Sequence, residues 1–143
     1  MEIFNGKGII LMAYFMNLNN IINRIKQINI NIKIVGSFDE NNKKIGYWEE
    51  FWDNGKLWYK GNYVNGKCHG YWEEYWYNGN LNRKGNFVND NRDGYWEEFF
   101  SNGKLAWKGN YKNGKEDGYW EEYWSNGNIR RKGNYNNGIY EIK

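Results

Sequence analysis

Two kinds of residue in this chain could do chemistry. Glu49-Glu50, Glu73-Glu74, Glu97-Glu98 and Glu121-Glu122 are paired carboxylates, the raw material of general acid/base catalysis, and Cys68-His69 sets a thiol beside an imidazole. Acid/base work needs two carboxylates that converge with different pKa values. Neighbours on a strand point to opposite faces, and these pairs recur in equivalent settings, so the spacing argues for a structural role. Cys68 and His69 are the only Cys and His of the 143 residues, too few for a zinc ligand set and too few for an internal disulfide. Neither a phosphate-cradling G-x-x-x-x-G-K-[ST] nor a nucleophile-elbow G-x-S-x-G is present. The expectation is a non-enzymatic chain with no catalytic, cofactor-binding or metal-binding residues and no cofactor.

The elements that hold these residues repeat. Gly46-Tyr47-Trp48-Glu49-Glu50 returns at Gly70, Gly94 and Gly118 with a period of 24 and no insertion. Between the copies lie Lys60-Gly61-Asn62-Tyr63, Lys84-Gly85-Asn86-Phe87, Lys108-Gly109-Asn110-Tyr111 and Lys132-Gly133-Asn134-Tyr135, with Val35-Gly36-Ser37-Phe38 as a degenerate upstream copy. Asn-Gly occurs at two places in most units, such as Asn54-Gly55 and Asn65-Gly66, and is the strongest short signal for a type I′ hairpin turn. Asn89-Asp90 replaces one of them, and Asp tolerates the left-handed region. Tryptophan, tyrosine and phenylalanine, 20% of the chain, fill the runs between turns, and proline is absent. Both facts suit paired strands. The predicted fold is all-β: an elongated single-layer antiparallel meander of about nine strands in tandem β-hairpin repeats, with a short N-terminal helix. Its parts are a segment 1–31, a half repeat 32–45 and repeats 46–69, 70–93, 94–117 and 118–143.

A register follows from placing Asn54-Gly55 at the centre of a two-residue loop. Asp53 then faces Lys56, Trp52 pairs with Leu57, Phe51 with Trp58, Glu50 with Tyr59, Glu49 with Lys60, Trp48 with Gly61 and Tyr47 with Asn62. The same register sets Glu73, Glu97 and Glu121 opposite Lys84, Lys108 and Lys132, and Glu74 and Glu122 opposite Arg83 and Arg131. A slip of one residue would lose every such pair. Trp48 opposite Gly61 also lets an indole lie across bare backbone. One face then carries a constant apolar set, including Leu57, Leu81, Leu105 and Ile129, and is expected to be packed. The row Trp58, Asn82, Ala106 and Arg130 varies and is expected to be solvated. The candidate partner-binding aromatic face comprises Trp48, Trp52, Tyr63, Trp72, Trp76, Phe87, Trp96, Phe100, Tyr111, Trp120, Trp124 and Tyr135.

The first 30 residues differ. Ile9 to Met16 is an apolar run of eight, too short to span a membrane, which takes about 20 residues. As the core of a signal peptide it lacks an A-x-A-like site, since Asn17-Leu18-Asn19-Asn20 follows. Leu18, Ile21, Ile22, Ile25 and Ile28 have the spacing of an amphipathic helix. Such a helix would cap the open end of a repeat stack. A membrane-surface helix anchored by Arg24, Lys26 and Lys33 is the alternative, and the expected location is cytoplasmic. A net charge of +3, a pI near 8.8 and a mean hydropathy of −1.03 are too mild to argue for nucleic acid. Aromatics interleaved with lysine can stack single strands, but the glutamates opposite those lysines neutralise the field.

Lys60-Gly61-Asn62-Tyr63-Val64-Asn65-Gly66-Lys67-Cys68-His69-Gly70 resembles the core of a MORN repeat, Y-x-G-x-W-x-N-G-x-x-H-G-x-G. The resemblance covers residues 33–143. Trp48, Trp72, Trp96 and Trp120 stand where the family usually has the second glycine, and the unit has 24 residues rather than the family's usual ~23, with the extra one after the Asn54-type turn. Both features match the bacterial- and viral-type variant of the repeat. The resemblance implies consecutive hairpins in one sheet and a role as an interaction scaffold. It also implies phospholipid contact as an alternative, and an antitoxin-like partner-binding role as another. An aromatic-repeat carbohydrate-binding wall module is a further alternative, although such repeats are nearer 20 residues. Protein partners are expected along the aromatic face or by strand addition, including self-association, at the open edge near Tyr140-Glu141-Ile142.

Overall fold

The computed structural model describes residues 35–142. The predicted N-terminal helix lies outside them. The described chain forms one antiparallel sheet of ten strands in strict sequence order. The strands are β1 (Val35–Phe38), β2 (Lys44–Phe51), β3 (Leu57–Val64), β4 (Lys67–Tyr75), β5 (Leu81–Val88), β6 (Asn91–Phe99), β7 (Leu105–Lys112), β8 (Lys115–Tyr123), β9 (Ile129–Asn136) and β10 (Ile139–Tyr140). The tenth is a two-residue strand beyond the nine or so anticipated, pairing Ile139 with Asn136 and Tyr140 with Tyr135.

The register holds where it was anchored on charge and glycine. Tyr47, Trp48, Glu49 and Glu50 face Asn62, Gly61, Lys60 and Tyr59, and the later repeats follow suit. It fails next to the Asn54-type turn. Phe51 pairs with Leu57, not Trp58, and Trp52 leaves the ladder. The cause is the turn. Gly55 N–H donates to Trp52 O (3.0 Å) and Trp52 N–H to Lys56 O (2.8 Å), which closes a three-residue loop rather than a two-residue one. Of that Asn-Gly pair only the glycine has positive φ, +78°. Asn54 serves through its side chain instead, accepting from Lys56 N–H (2.9 Å) and donating to Tyr77 O (2.8 Å) in the next turn. The second Asn-Gly is the type I′ turn expected, with φ of 51° at Asn65 and 79° at Gly66. Asn89-Asp90 keeps that shape at 50° and 68°, and Asp90 Oδ1 gains a bond from Cys68 N–H (2.7 Å).

An odd-length loop shifts the ladder by one residue, and a bulge absorbs it. Trp58, Asn82, Ala106 and Arg130 are each skipped between paired neighbours. This bulged row is the variable one, and its residues have no partner in the backbone ladder, although Arg130 reaches Glu122 with its side chain at 3.7 Å. Trp58 is 39% exposed against 4% for Trp48, but the wider contrast expected between the two rows does not hold: the bulge pairs Leu57, Leu81, Leu105 and Ile129 with Phe51, Tyr75, Phe99 and Tyr123, Ile129 is 54% exposed, and Asn82 and Ala106 are half-buried.

The core is a line of indoles. Trp48, Trp72, Trp96 and Trp120 are 0–5% exposed. Each lies on the glycine of the preceding strand. A Cβ built on Gly36, Gly61, Gly85 or Gly109 would come within 2.0–2.3 Å of the ring of Trp48, Trp72, Trp96 or Trp120 respectively. The indole thus does rest on bare backbone, but Gly61 carries Trp72 rather than Trp48. Edge-on rings close the sides: Trp72 is 5.3 Å from Tyr63 and 5.8 Å from Phe87, and Trp96 is 4.9 Å from Phe87. Three of the four indole N–H groups donate to backbone oxygens, among them Asn86 O (3.0 Å) and Asn110 O (3.1 Å), and that of Trp72 donates to Glu74 (3.2 Å). A buried indole needs such a partner.

Trp96→Ala should destabilise by about 3–5 kcal/mol in urea unfolding, the usual range for emptying a buried aromatic site. Gly85→Ala should cost about 1–3 kcal/mol by forcing the indole off its seat. At Gly94 a Cβ meets nothing within 4 Å but φ is +70°, so Gly94→Ala should cost about 1–2 kcal/mol from backbone strain alone.

Candidate binding face

The two faces of the sheet differ in kind. On one, Tyr71, Glu73 and Tyr75 alternate with the buried Trp72. Glu73 accepts from Lys60 Nζ (2.7 Å), from Tyr71 Oη (3.0 Å) and from Tyr75 Oη. Lys84–Glu97 (2.9 Å) and Lys108–Glu121 (2.8 Å) repeat the arrangement. In the backbone register each of these lysines faces a glutamate on both sides, and its ammonium bonds the one on the following strand. The anticipated Glu74–Arg83 and Glu122–Arg131 pairs form within their own hairpins, the first at 2.7 Å.

On the other face every hairpin builds a slot beside its tryptophan. The first slot holds Lys44, whose ammonium lies 4.5, 5.5 and 5.1 Å from the rings of Trp48, Tyr59 and Tyr63. It donates to Tyr59 Oη (2.7 Å) and pairs with Glu50. Burial, then the bond to Glu50, pushes the Tyr59 phenol far above its usual range, so it stays a neutral donor. Burial likewise lifts Tyr63 to about 12. In the third hairpin Arg92 takes the place of Lys44. It lies 4.7, 5.4 and 5.2 Å from the rings of Trp96, Trp107 and Tyr111 and donates to Tyr111 Oη (2.8 Å). The second and fourth hairpins place their cation differently, at Arg83 and Arg131, in the row of Tyr59 and Trp107. Each slot therefore has one glutamate, from Glu50, Glu74, Glu98 and Glu122, and one cation. The source of the cation alternates from hairpin to hairpin.

An open cavity of about 370 Å³ lies over the third and fourth hairpins. Its walls include Trp107, Tyr111, Trp120 and Tyr135, and its charged lining is Arg92, Arg131, Glu98, Glu116 and Glu122. Trp107 lies 5.0 Å from Trp120, and Tyr111 and Tyr135 meet the Trp120 ring edge-on at 5.1 and 5.6 Å.

The twelve aromatic residues anticipated as a binding face do not form one exposed surface. Trp48, Trp72, Trp96 and Trp120 are buried seats, while Tyr63, Phe87, Tyr111 and Tyr135 are the half-buried walls between them. Trp52, Trp76, Phe100 and Trp124 sit at the three-residue turns. There the indoles of Trp52 and Trp76 donate to Tyr75 O (3.2 Å) and Phe99 O (2.9 Å), lacing one turn to the next. Trp124 is exposed at 53%. The residues missed were the rows Lys44, Cys68, Arg92, Glu116 and Tyr59, Arg83, Trp107, Arg131. Their complementary alternation over two repeats was the available signal. Cys68 is a free thiol raised by burial, and among the described residues no group of His, Cys, Asp and Glu could hold a metal ion.

Burial pushes the Glu73 carboxyl up, but the bonds from Lys60, Tyr75 and Tyr71 outweigh it and leave it below the ordinary 4.5. A depressed folded-state value stabilises above the unfolded value and is lost as pH falls through the folded one. Stability should therefore drop below pH 4.5, and Glu73→Gln should flatten that part of a urea-midpoint profile against pH.

Comparison with curated proteins gave no match. Four segments, residues 44–65, 69–89, 92–113 and 116–137, match the family described as the MORN repeat variant. These segments tile successive hairpins of the sheet and together span more than half of the chain, so this protein is a repeat-based module that belongs to the MORN repeat variant family.

Proposed function

We propose that the chain is a non-catalytic protein-binding scaffold that engages its partner along the tryptophan face. The observation that carries this is the cavity over the third and fourth hairpins, where Trp107, Tyr111 and Tyr135 stand beside Arg92 and Arg131. Tryptophan, tyrosine and arginine are the residue types that dominate binding energy at protein interfaces. The walls are strands pinned on both sides, so little ordering cost falls on binding. The glutamate row Glu50, Glu74, Glu98 and Glu122 on the same face argues against an anionic membrane as the occupant. The Glu-Glu pairs are divided between two faces, and each of their eight carboxylates is tied to a cation or a phenol, which supports a structural role for them.

Affinity capture from the native cell tests this with paired baits. The wild-type chain should retain a protein that Trp107→Ala loses by about 30-fold in affinity, the range of an interface hot spot, with an unchanged far-UV spectrum. Vesicles of phosphatidylserine and phosphatidylcholine should not co-sediment with the chain. Equal retention by both baits, or vesicle binding without protein capture, would overturn the proposal.

A further inference from the structure

The face opposite the indoles repeats one aromatic column that the fold leaves half in solvent. Tyr47, Tyr71, Tyr95 and Tyr119 are 46–50% exposed, one in every hairpin. Each follows a glycine at positive φ, +69 to +83°, and the ladder to the preceding strand skips it. Such a bulge re-aims a side chain away from the ladder. Tyr71 and Tyr95 donate to Glu73 and Glu97 at 3.0 and 3.1 Å, which holds their rings in place. Tyr119 keeps the same exposure although its hydroxyl bonds no described residue, so bracing a carboxylate is not the whole use of the column.

Three further features share this row. Asn62, Asn86, Asn110 and Asn134 face the tyrosines across each hairpin, and their side-chain amides bond no described residue. Each free amide offers two donors and an accepting oxygen. On the other side of Asn86 and Asn110 stand Asp93 and Asp117, whose carboxylates pair with no described cation. Lys84 and Lys108 in the neighbouring row are already taken by Glu97 and Glu121. The third feature is the pitch. Strands lie about 4.8 Å apart, so tyrosines on alternate strands recur roughly every 10 Å. A peptide in β conformation repeats a side chain on one face about every 7 Å and is out of step by the second ring. A polyproline II helix has three residues per turn at about 3.1 Å each, so it presents the same side again after about 9.3 Å.

We propose that this row docks a proline-rich segment of a partner protein in the polyproline II form, with prolines three residues apart stacked on Tyr71 and Tyr95 and a basic residue beside Asp93. Asn86, across the hairpin from Tyr71, donates to the carbonyls of that segment, which its own helix leaves unbonded. Aromatic side chains set at the pitch of the helix are the general means of reading such segments. The rings are braced and the helix is preformed, so binding orders little on either side. Tyr95, Asn110, Asp117 and Tyr119 repeat the set one hairpin further along. His69 holds the place of Asp93 between Tyr47 and Tyr71, so a segment with a basic residue favours the later pairs. This site lies on the face opposite the tryptophan cavity and does not depend on the reading given for that cavity.

The test uses the full chain labelled with ¹⁵N and a peptide of one arginine followed by about ten prolines, a sequence that holds polyproline II in water. A glycine–serine peptide of the same length and charge and the β-1,4-linked glucose oligomer cellohexaose are the comparison probes. The proline peptide should shift the backbone N–H signals of Tyr71 and Tyr95 and the side-chain amide signals of Asn86 saturably, and leave the indole signals of Trp107 and Trp120 in place. Tyr95→Ala should weaken binding by about tenfold, the usual loss on truncating one aromatic of an interface. Tyr95→Phe keeps the ring and should recover most of that loss. Asp93→Asn should weaken the arginine-bearing peptide by about threefold, the size of an exposed ion pair, and leave an arginine-free proline peptide unaffected. No saturable shift, an equal response to the glycine–serine peptide, an unchanged affinity in Tyr95→Ala, or shifts confined to the indoles would overturn the proposal. So would tighter binding of cellohexaose, which would mark the row as a sugar platform. Each of these readouts belongs to the tyrosine face, so its failure leaves the tryptophan-face reading standing.

Discussion

A buried indole lying flat on a glycine of the preceding strand is the contact on which this sheet depends. A single-layer sheet has no second layer to cover its apolar side, so each strand must supply its own core to its neighbour. Glycine removes the Cβ that would hold the ring away, and the ring then covers backbone that would otherwise be wet. The geometry is tight enough that a single added carbon on Gly61 or Gly85 would overlap the ring by more than an ångström. Two consequences follow directly. The glycine and the tryptophan must recur at one fixed spacing, which enforces the unbroken period of the chain. The ring also needs walls, and these are Phe38, Phe87 and the tyrosines two residues beyond each glycine.

The opposite face does a different job. There Lys60, Lys84 and Lys108 reach to Glu73, Glu97 and Glu121 on the next strand, and phenols brace the carboxylates. These contacts run between hairpins rather than within them. The turns add to this: Asn54 and Lys56 bond the backbone of the Tyr77–Asn78 turn, and Gly66 N–H bonds Lys44 O. Cohesion thus propagates from each repeat to the next, as in other repeat architectures whose stability is a sum of nearest-neighbour terms. On the tryptophan face the same cohesion comes from the indole of each hairpin resting on the glycine of the one before, so the charged positions around it can change from repeat to repeat.

Much of this was legible in the sequence, for physical reasons that also explain the gaps. The strands, the type I′ turn at Asn65-Gly66 and the pairs Trp48–Gly61 and Glu49–Lys60 follow from residues whose roles admit few readings. The Asn54 turn was misread because Asn-Gly fits two loops. The choice between them is made by side-chain bonds from Asn54 to Lys56 and Tyr77, the latter in the next repeat, and local sequence does not announce that contact. The pairing of each lysine with the following strand was hidden for the same reason: the register places a glutamate on both sides and leaves the side-chain rotamer to decide. The slots on the tryptophan face were missed because their cation comes from two positions in alternation, so no single column of the repeat looks functional. Only the joint pattern of Lys44 with Tyr59 and of Arg92 with Trp107, set against Cys68 with Arg83 and Glu116 with Arg131, reveals it.

The bulged row also sets a spacing along the sheet. Trp58, Asn82, Ala106 and Arg130 stand outside the ladder, one per hairpin, at two-strand intervals. Strands in a sheet are about 4.8 Å apart, so these positions are spaced roughly 10 Å from one to the next. The chain therefore carries a molecular ruler with graduations of fixed pitch, and each mark can be rewritten with an aromatic, an amide, a methyl or a cation without altering the scale.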